Sequence, residues 1–370
     1  MNLTRRSFLV RGGVTAGVAC GGALGGFSGR FARRAPVRLG LVGVGGIGRI
    51  NLERFLVMDG VEVNMICETH AGRAQAARAC VASLAGERAA CEVTQDYREL
   101  CGREDLDAVA VAVPDSLHAD VALSAVAAGK AVYGEPPFAH TLGQGRALLR
   151  AVAQGGCVWQ TGAHLRGEPA FRCAVAAVRA GRIGRVARVE VGLPGGGRGP
   201  AGWDGNADGG AYHWRWMSAC GGGSLAQGIG HYGDIALWGA GKETELPVSV
   251  VGRGEYPRDG VFDTATSFRF LCFYRDGVEV EVADGGRLEK GIGVRWIGEG
   301  GEWIWVTRGA IEASACGLLA GLPPEAMRPV DLRRDFIEAV KARRPACAPA
   351  AAAFHAAALG QLGDRAMRGV

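Results

Sequence analysis

Three glycines near the start of the chain have the spacing of a phosphate-binding turn. Gly43, Gly45 and Gly48 form the pattern G-x-G-x-x-G, which follows the apolar run Val37–Val42 and opens a helical pattern. Glycine allows the tight turn and lets the backbone approach a pyrophosphate, while the N-terminus of the next helix supplies N–H donors. The sequence therefore predicts a dinucleotide site. Its predicted contacts in the turn are Gly43, Gly45, Gly46, Ile47 and Gly48.

A carboxylate at the end of the second apolar run indicates which dinucleotide binds. In dinucleotide-binding domains this residue accepts hydrogen bonds from the hydroxyls of the adenosine ribose. Glu68 stands 20 residues after Gly48, so NAD is the predicted cofactor. Arg73 is near enough along the chain to hold a 2′-phosphate, which keeps NADP as the alternative. The non-functional alternative is a structural glycine turn beside a surface glutamate that binds no ligand.

Alternating apolar and Ala-rich segments surround this turn. Five apolar runs predict buried parallel strands at Val37–Val42, Val61–Cys67, Ala108–Val113, Ala131–Tyr133 and Cys157–Trp159. Helical patterns lie between them at Ile47–Val57, Ala71–Leu84 and Ala119–Ala128. This βαβ order predicts an N-terminal NAD(P)-binding Rossmann domain, a doubly wound parallel sheet that spans residues 37–160.

The second half of the chain has a different pattern. Apolar and polar residues alternate at Val186–Val191, Ser267–Tyr274, Val278–Val282, Val294–Ile297 and Trp303–Val306. Such alternation is typical of an antiparallel sheet with one covered face. Two helical patterns follow, at Asp331–Ala342 and Ala350–Met367. Residues 161–370 are therefore predicted to form an α+β domain with an open, mostly antiparallel sheet, which serves substrate binding and oligomerisation.

The first 34 residues have the pattern of an export signal. The string Thr4-Arg5-Arg6-Ser7-Phe8-Leu9 precedes a weakly apolar run, Val14 to Phe27, that is short for a membrane span. Together they predict a twin-arginine signal over residues 1–34. The protein is then expected to be periplasmic or in the cell envelope, with the twin-arginine export machinery as a partner. A protein exported with its nucleotide has to keep the nucleotide and recycle it.

The charge balance argues against nucleic acid and membrane surfaces as partners. The chain has 42 basic and 37 acidic residues, but six arginines and no acid lie in the first 34 residues. The remainder is nearly neutral, with 36 basic residues against 37 acidic ones, and no basic patch is indicated. Eleven cysteines include no C-x-x-C pair, and no spacing predicts a metal site.

Several later motifs, in order and with similar spacing, resemble one family. They are Val113-Pro114-Asp115-Ser116-Leu117-His118, Gly134-Glu135-Pro136-Pro137, Gln160-Thr161-Gly162, Gly181-Arg182-Ile183-Gly184 and Gly222-Gly223-Ser224-Leu225 ahead of His231-Tyr232-Gly233-Asp234. From about Val37 to Met367 the chain is similar to the Gfo/Idh/MocA family of glucose–fructose oxidoreductase and inositol dehydrogenase, and particularly to its twin-arginine-exported branch. The resemblance implies a Rossmann domain, an α+β domain with an open sheet, and nicotinamide-dependent chemistry on sugars, polyols or their derivatives.

The same resemblance implies roles for particular residues. It places Pro114 and His118 near the nicotinamide end of the cofactor, and Glu135 and Gln160 against its ribose or amide. The residues in substrate-side positions are Arg166, Trp214, Arg215 and His231. A homo-oligomer formed through the open sheet is also expected.

Two departures from the family pattern bear on catalysis. Pro136 stands where the Glu-Lys-Pro motif has its catalytic lysine, and Gln227 stands where an aspartate often precedes the catalytic histidine. Oxidation of a carbinol needs a group that takes the hydroxyl proton, and neither proline nor glutamine can do so. His231 is the family-matched base that remains, and the ordinary pKa of histidine suits the role. The alternative bases nearby are His164, Tyr212 and His213.

These patterns predict an exported NAD(P)-dependent oxidoreductase that acts on a sugar, polyol or glycoside with a tightly bound, internally recycled cofactor. A redox-cycling glycosidase is one form of this chemistry. Arg215, between Trp214 and Trp216, would help to clamp a sugar ring, although a packed tryptophan pair beside a solvated arginine explains the string equally well. The alternative function is a catalytically degenerate NAD(P)- and carbohydrate-binding protein, because the motif lysine and aspartate are missing.

Export should depend on the first arginine pair. Replacing Arg5 and Arg6 together by lysine is expected to leave the protein in the cytoplasm of its host, because the export receptor recognises the pair itself and not only its charge. Cell fractionation and immunoblotting measure the result, with the Arg33→Lys/Arg34→Lys double variant as the matched control. Export of both variants at the wild-type level would refute the assignment.

Overall fold

Six parallel strands form the first sheet and place the glycine turn at its centre. The computed structural model describes residues 35–86, 91–195 and 210–370, so the predicted export signal lies outside the described residues. The strands are β1 (Val37–Val42), β2 (Val61–Cys67), β3 (Glu92–Thr94), β4 (Ala108–Val111), β5 (Ala131–Gly134) and β6 (Trp159–Thr161). Their order is β3-β2-β1-β4-β5-β6, which confirms the predicted doubly wound parallel sheet.

The direction of strand addition reverses between β1 and β4. The connecting helices are α1 (Gly46–Leu56), α2 (Ala71–Ala85), α3 (Tyr97–Gly102), α4 (Asp115–Ala127) and α5 (Leu142–Gly155). At such a reversal the loops leave the carboxyl ends of the two strands in opposite directions and open a crevice. The glycine turn joins β1 to α1 at this point, and the loop from β4 to α4 forms the other side of the crevice.

The second sheet has seven strands and is mostly antiparallel, as predicted. Its strands are β7 (Val186–Leu193), β8 (Ser249–Glu255), β9 (Ser267–Phe273), β10 (Glu279–Asp284), β11 (Gly293–Gly298), β12 (Trp303–Thr307) and β13 (Ala310–Ala313). Their order is β13-β12-β11-β7-β10-β9-β8. The central pair, β7 and β10, is parallel, while every other neighbouring pair is antiparallel.

Alternation along the strands of the second sheet separates a core face from a charged face. Val189 and Val191 of β7 lie in the core against helices α6 (Pro169–Arg179), α7 (Gly223–Gly228) and α8 (Asp234–Ala240). On the opposite face, Arg295 Nη2 lies 2.7 Å from Glu190 Oε2. The strand registers also place Leu271, Val251 and Trp305 on this face, so it carries ion pairs together with apolar side chains. The oligomer itself stays a prediction.

The last two helices return to the first sheet. They are α9 (Leu332–Ala342) and α10 (Ala350–Arg368), close to the predicted ranges. Phe336 of α9 packs edge-on against Tyr133 of β5, with ring centroids 5.7 Å apart. Phe354 of α10 packs against Phe138, while Leu359 lies in the core of the second sheet. Among the described residues, no helix is both long and apolar enough to span a membrane.

A buried ion pair joins the segment after β6 to the start of α8. Arg166 Nε donates to Asp234 Oδ2 at 2.6 Å and its Nη2 donates to Oδ1 at 2.8 Å. The same guanidinium donates to Glu243 at 2.7 Å and to the carbonyl of Cys347 at 3.1 Å. Arg166 and Asp234 are each only 3% exposed. This fully hydrogen-bonded cluster ties together three segments that are far apart in the sequence.

Removing the acidic partner should be strongly destabilising. Asp234→Ala leaves the buried Arg166 charge without its bidentate partner, and breaking a buried pair in this way typically costs about 3–5 kcal/mol. Urea unfolding followed by circular dichroism measures the free energy of unfolding. The control is Glu299→Ala, which removes an exposed partner of Arg185 and should cost at most about 1 kcal/mol. Equal losses in the two variants would contradict the structural role assigned to the pair.

Candidate active-site cleft

A cleft of about 920 Å³ runs along the carboxyl edge of the first sheet and faces the second half of the chain. The first sheet contributes residues that directly follow β1, β2, β4 and β5. The opposite wall comes from the short 3₁₀ helix Gly210–Trp216, from α7, and from the π-helical turn Ile229–Gly233 that follows α7. The predicted site residues that line the cleft are Gly43, Gly45, Gly46, Ile47, Glu68, Arg73, Pro114, Glu135, Trp214, Arg215 and His231.

Steric limits require glycine at two positions of the motif. At the third position, glycine keeps the cleft free of a side chain. Gly43 has φ 84°, and a Cβ there would lie 2.3 Å from the carbonyl oxygen of Ala112. A Cβ at Gly48 would lie 2.1 Å from the carbonyl oxygen of Gly43. At Gly45 the nearest atom would be 3.6 Å away, in the side chain of Arg73, so a side chain there would project towards the cleft.

The N-terminus of α1 is ready to bind an anion. Gly45 is its N-cap residue, and no side chain caps the helix. The first N–H groups of a helix have no partner within the helix, and together with the helix dipole they favour a negatively charged group such as a pyrophosphate. The open surface at Gly45 lets such a group approach the backbone. The residues present in the turn therefore fit a dinucleotide.

Glu68 is fixed as a carboxylate at the expected place. Its Oε2 accepts a hydrogen bond from the N–H of Val44 at 3.1 Å. Its Oε1 accepts from the N–H of His70 and from Nη2 of Arg73, both at 2.9 Å. Burial raises the pKa of Glu68, but these donors together outweigh it and hold the pKa below its usual value. Arg73, the residue that favours NADP, is thus paired with the carboxylate that favours NAD.

Three ionisable side chains come together at the other end of the cleft. The rings of His164 and His231 are stacked, with centroids 6.2 Å apart and an interplanar angle of 21°. His164 Nε2 lies 3.9 Å from Glu135 Oε1, which is longer than a hydrogen bond. Glu135 Oε1 accepts a hydrogen bond of 2.9 Å from Asn51 Nδ2. Pro136 follows directly and also lines the cleft.

Burial disfavours the charged form of each of these three groups. It raises the pKa of Glu135 to about 7, against the opposing hydrogen bond from Asn51. Burial also lowers the pKa of His164 to about 4, and the charges of Arg333 and Arg308 act in the same direction. Burial and the charge of Arg308 lower the pKa of His231 to about 4. Both imidazoles are therefore unprotonated at neutral pH and free to accept a proton.

Asp115 is a cleft residue that the sequence analysis did not single out. It begins α4, directly after Pro114, and lines both the cleft and a second cavity of about 370 Å³. Its Oδ2 accepts a hydrogen bond of 3.1 Å from the N–H of Gly222. Burial raises the pKa of Asp115 to about 7, although Gly222 and the charge of Arg215 oppose the shift. In the sequence, the position of Asp115 just after the predicted strand that became β4 could have indicated a cleft residue.

Three residues assigned by resemblance lie behind the cleft wall instead of facing it. His118 is buried in α4, where burial lowers its pKa to about 4, and it is close to Gly134. The side-chain oxygen of Gln160 accepts a hydrogen bond from the N–H of Ala348 at 3.3 Å. Arg166 belongs to the buried ion cluster described above. These three side chains support the cleft without lining it.

The aromatic segment of the opposite wall is only partly directed at the cleft. Trp214 and Arg215 line it, and the guanidinium of Arg215 lies 5.5 Å from the ring centroid of Trp214. His213 packs against Phe262, with ring centroids 6.1 Å apart, and does not line the cleft. The side chain of Tyr212 lies outside the described residues. Within the described ranges, no group of three histidine, cysteine or acidic residues is placed to hold a metal ion.

The sequence of the first sheet matches a known family. Residues 37–163 match the description "Oxidoreductase family, NAD-binding Rossmann fold", named GFO_IDH_MocA. This part of the chain is similar to the NAD-binding domain of the Gfo/Idh/MocA family. This confirms the family resemblance for the Rossmann part of the chain, and it confirms NAD as the cofactor that this type of domain binds.

Two curated relatives match over the same part of the chain. One is a glycosyl hydrolase family 109 protein from Streptomyces niveus, 39% identical over 113 residues, which are 30% of this chain and 23% of the relative. The other is inositol 2-dehydrogenase from Salmonella paratyphi B, 35% identical over 121 residues, which are 32% of this chain and 34% of the relative. The matches thus span only 23% and 34% of the lengths of these two relatives.

The fold as a whole resembles a solved dehydrogenase. The structure of the WlbA dehydrogenase from Bordetella pertussis, in complex with NADH and UDP-GlcNAcA, aligns with 90% of this chain and 98% of its own. The TM-score is 0.71 at 20% sequence identity. This likeness extends the shared fold beyond the Rossmann part to the second sheet.

Glu68 should contribute measurably to NAD affinity. Glu68→Ala is expected to weaken binding by about 1.5–3 kcal/mol, the usual contribution of hydrogen bonds to a charged group, because the carboxylate would meet the adenosine ribose. Calorimetric titration of nucleotide-stripped protein measures the change. The control is Glu53→Ala, which removes an exposed partner of Arg49 on α1. Equal affinity in wild type and Glu68→Ala would show that the carboxylate only organises the turn.

Proposed function

We propose that this protein is an NAD-dependent oxidoreductase that oxidises a hydroxyl group of a sugar, polyol or glycoside. The observation that carries the proposal is the continuity of one cleft. It joins the uncapped turn at Gly45 and the carboxylate of Glu68 to the unprotonated His231 and to Trp214. A dinucleotide seated at the first end would extend towards the second, where a polar ring would meet aromatic and ionisable side chains.

NAD, when bound, supplies an acceptor for hydride, and the protein has to manage the proton. The turn at residues 43–48 and Glu68 would hold the pyrophosphate and the adenosine ribose. Pro114 and Glu135 line the cleft further along and would contact the nicotinamide end. His231 would accept the proton of the reacting hydroxyl, since Pro136 has no titratable side chain and Gln227 no useful pKa. The pKa of about 4 leaves the ring unprotonated at neutral pH, and it also makes His231 a weaker base than an ordinary histidine.

We extend the proposal to a retained cofactor and to export by the twin-arginine route. A protein that carries NAD out of the cytoplasm must reoxidise it in place, either by reducing a second sugar or by a cycle that ends in its starting redox state. The second route includes redox-cycling cleavage of a glycoside, and the name of the Streptomyces niveus relative favours it. Support for export comes from the sequence motif at Arg5-Arg6.

A second candidate function is a binding protein that keeps the cleft without turnover. The specific observation in its favour is that Pro136 and Gln227 line the cleft where the family pattern has an ionisable lysine and aspartate. In that case NAD and a carbohydrate would still bind. Measured turnover, and not binding, therefore separates the two candidates.

The decisive experiment follows nucleotide and turnover in the same preparation. Denaturing the purified protein should release near-stoichiometric NAD(H), and a panel of sugars, polyols and glycosides should change its nicotinamide absorbance. His231→Asn is expected to lower turnover by about 10²–10⁴-fold, the usual contribution of a proton-transfer group, while NAD affinity stays unchanged. His355→Asn, at a half-buried histidine of α10 outside the cleft, is the control.

The outcomes distinguish the proposals clearly. Absence of nucleotide together with no NAD binding in calorimetry would refute the cofactor assignment. Nucleotide and sugar binding with no turnover on the whole panel, and a gain of activity in Pro136→Lys/Gln227→Asp, would establish the binding protein. Full activity in His231→Asn would show that another group takes the proton.

A further inference from the structure

Arg308 is a charged residue at the substrate end of the cleft that the proposed reaction does not use. It lies in the tight turn between β12 and β13 of the second sheet, and it lines the cleft. Its side chain is 61% exposed, which leaves the guanidinium accessible from the cleft. The ion pair described for it is with Glu168, whose carboxylate is 3.5 Å away and does not line the cleft.

The ion pair with Glu168 is a weak restraint on Arg308. Pairs at exposed positions contribute at most about 1 kcal/mol, and this one is longer than a good hydrogen bond. A guanidinium has five N–H donors in a planar fork, so one loose carboxylate contact leaves most of them available. Arg308 can therefore bind a second anion without losing a strong structural contact.

The charge of Arg308 acts on the groups that would surround the reacting carbon. It lowers the pKa of both His164 and His231, which shows that its positive potential reaches the stacked rings. Arg333 adds to this potential at His164, and Asp331 only partly offsets it. The inner end of the cleft is thus electropositive at the two histidines.

The carboxyl groups of the cleft do not neutralise this potential fully. Glu135 and Asp115 are buried, and burial raises the pKa of each to about 7, so each is protonated part of the time at neutral pH. Glu68 lies at the adenosine end and is paired with Arg73. The guanidinium groups of Arg215 and Arg308, in contrast, contribute fixed positive charges. Among the described lining residues, the permanent charges at the substrate end are therefore positive.

We propose that the substrate carries an acidic group, a carboxylate of the uronic-acid type, and that Arg308 binds this group. Guanidinium groups bind carboxylates through paired, charge-assisted hydrogen bonds, which makes such a contact both strong and orienting. Arg308 is then a specificity-determining residue, and it holds the ring so that one hydroxyl meets His231. This inference rests on the proposed function, since it names the substrate class for the same site.

Paired substrates test the assignment directly. D-glucuronate and D-galacturonate are compared with D-glucose and D-galactose in the wild type and in Arg308→Gln, Arg308→Lys and Arg185→Gln. Arg185 is exposed, pairs with Glu299 and lies outside the cleft, so its variant is the matched control. Arg308→Gln should lower the ratio of kcat/KM for the uronates to kcat/KM for the neutral sugars by about 10–100-fold, the effect of losing hydrogen bonds to a charged group.

Two further measurements sharpen the test. Arg308→Lys keeps the charge but loses the paired contacts, so its preference for uronates should fall between those of the wild type and Arg308→Gln. Added salt should raise KM for the uronates and not for the neutral sugars. A wild type that prefers the neutral sugars, or an Arg308→Gln variant that loses both classes equally, overturns the inference and leaves the oxidoreductase proposal in place.

Calorimetry separates failure of the inference from failure of the reaction. If the wild type oxidises none of these substrates, the proposed function fails. Uronate binding to the NAD-loaded protein then tests whether Arg308 binds a carboxylate. Binding that is about 10–100-fold weaker in Arg308→Gln than in Arg185→Gln supports the inference. Absent binding, or equal binding in the two variants, overturns it.

Discussion

The geometry of the cleft depends on the buried ion pair between Arg166 and Asp234. Arg166 follows His164 by two residues in one 3₁₀ turn, and Asp234 follows His231 by three residues at the start of α8. The bidentate pair therefore fixes the two histidine-bearing segments relative to each other. The stacking of the rings at 6.2 Å follows from a contact that lies outside the cleft. Arg166, which the family pattern placed against substrate, therefore positions the histidine-bearing segments instead of lining the cleft.

Exclusion of water gives the inner cleft its chemical character. The same burial that raises the pKa of Glu135 lowers the pKa of His164, so the two groups do not form the ion pair that exposed groups would form. In a medium of low polarity, a charge that develops on substrate is stabilised by fixed dipoles and by the permanent charges of nearby arginines. The inner cleft therefore offers unprotonated imidazoles beside carboxyl groups that are only partly ionised at neutral pH.

The sequence predicted what short-range patterns determine. Buried parallel strands and the glycine turn follow from local periodicity, and the structure has them at Val37–Val42 and Val61–Cys67 as predicted. The three-residue strand β3 is too short to show a period, and the parallel pairing of β7 with β10 is set by a long connection. The separation of lining residues from supporting residues depends on the direction of side chains, which motif spacing does not contain. For that reason Asp115 was missed.

One carboxyl group lines both the cleft and the neighbouring cavity. Asp115 borders both spaces and accepts a hydrogen bond from the N–H of Gly222. The loop that carries Gly222 also precedes α7, whose residues line the cleft. A change in the position of that loop would therefore alter the surroundings of Asp115 and the wall of the cleft together. The shape of the cleft thus depends on a backbone segment that also borders the second cavity.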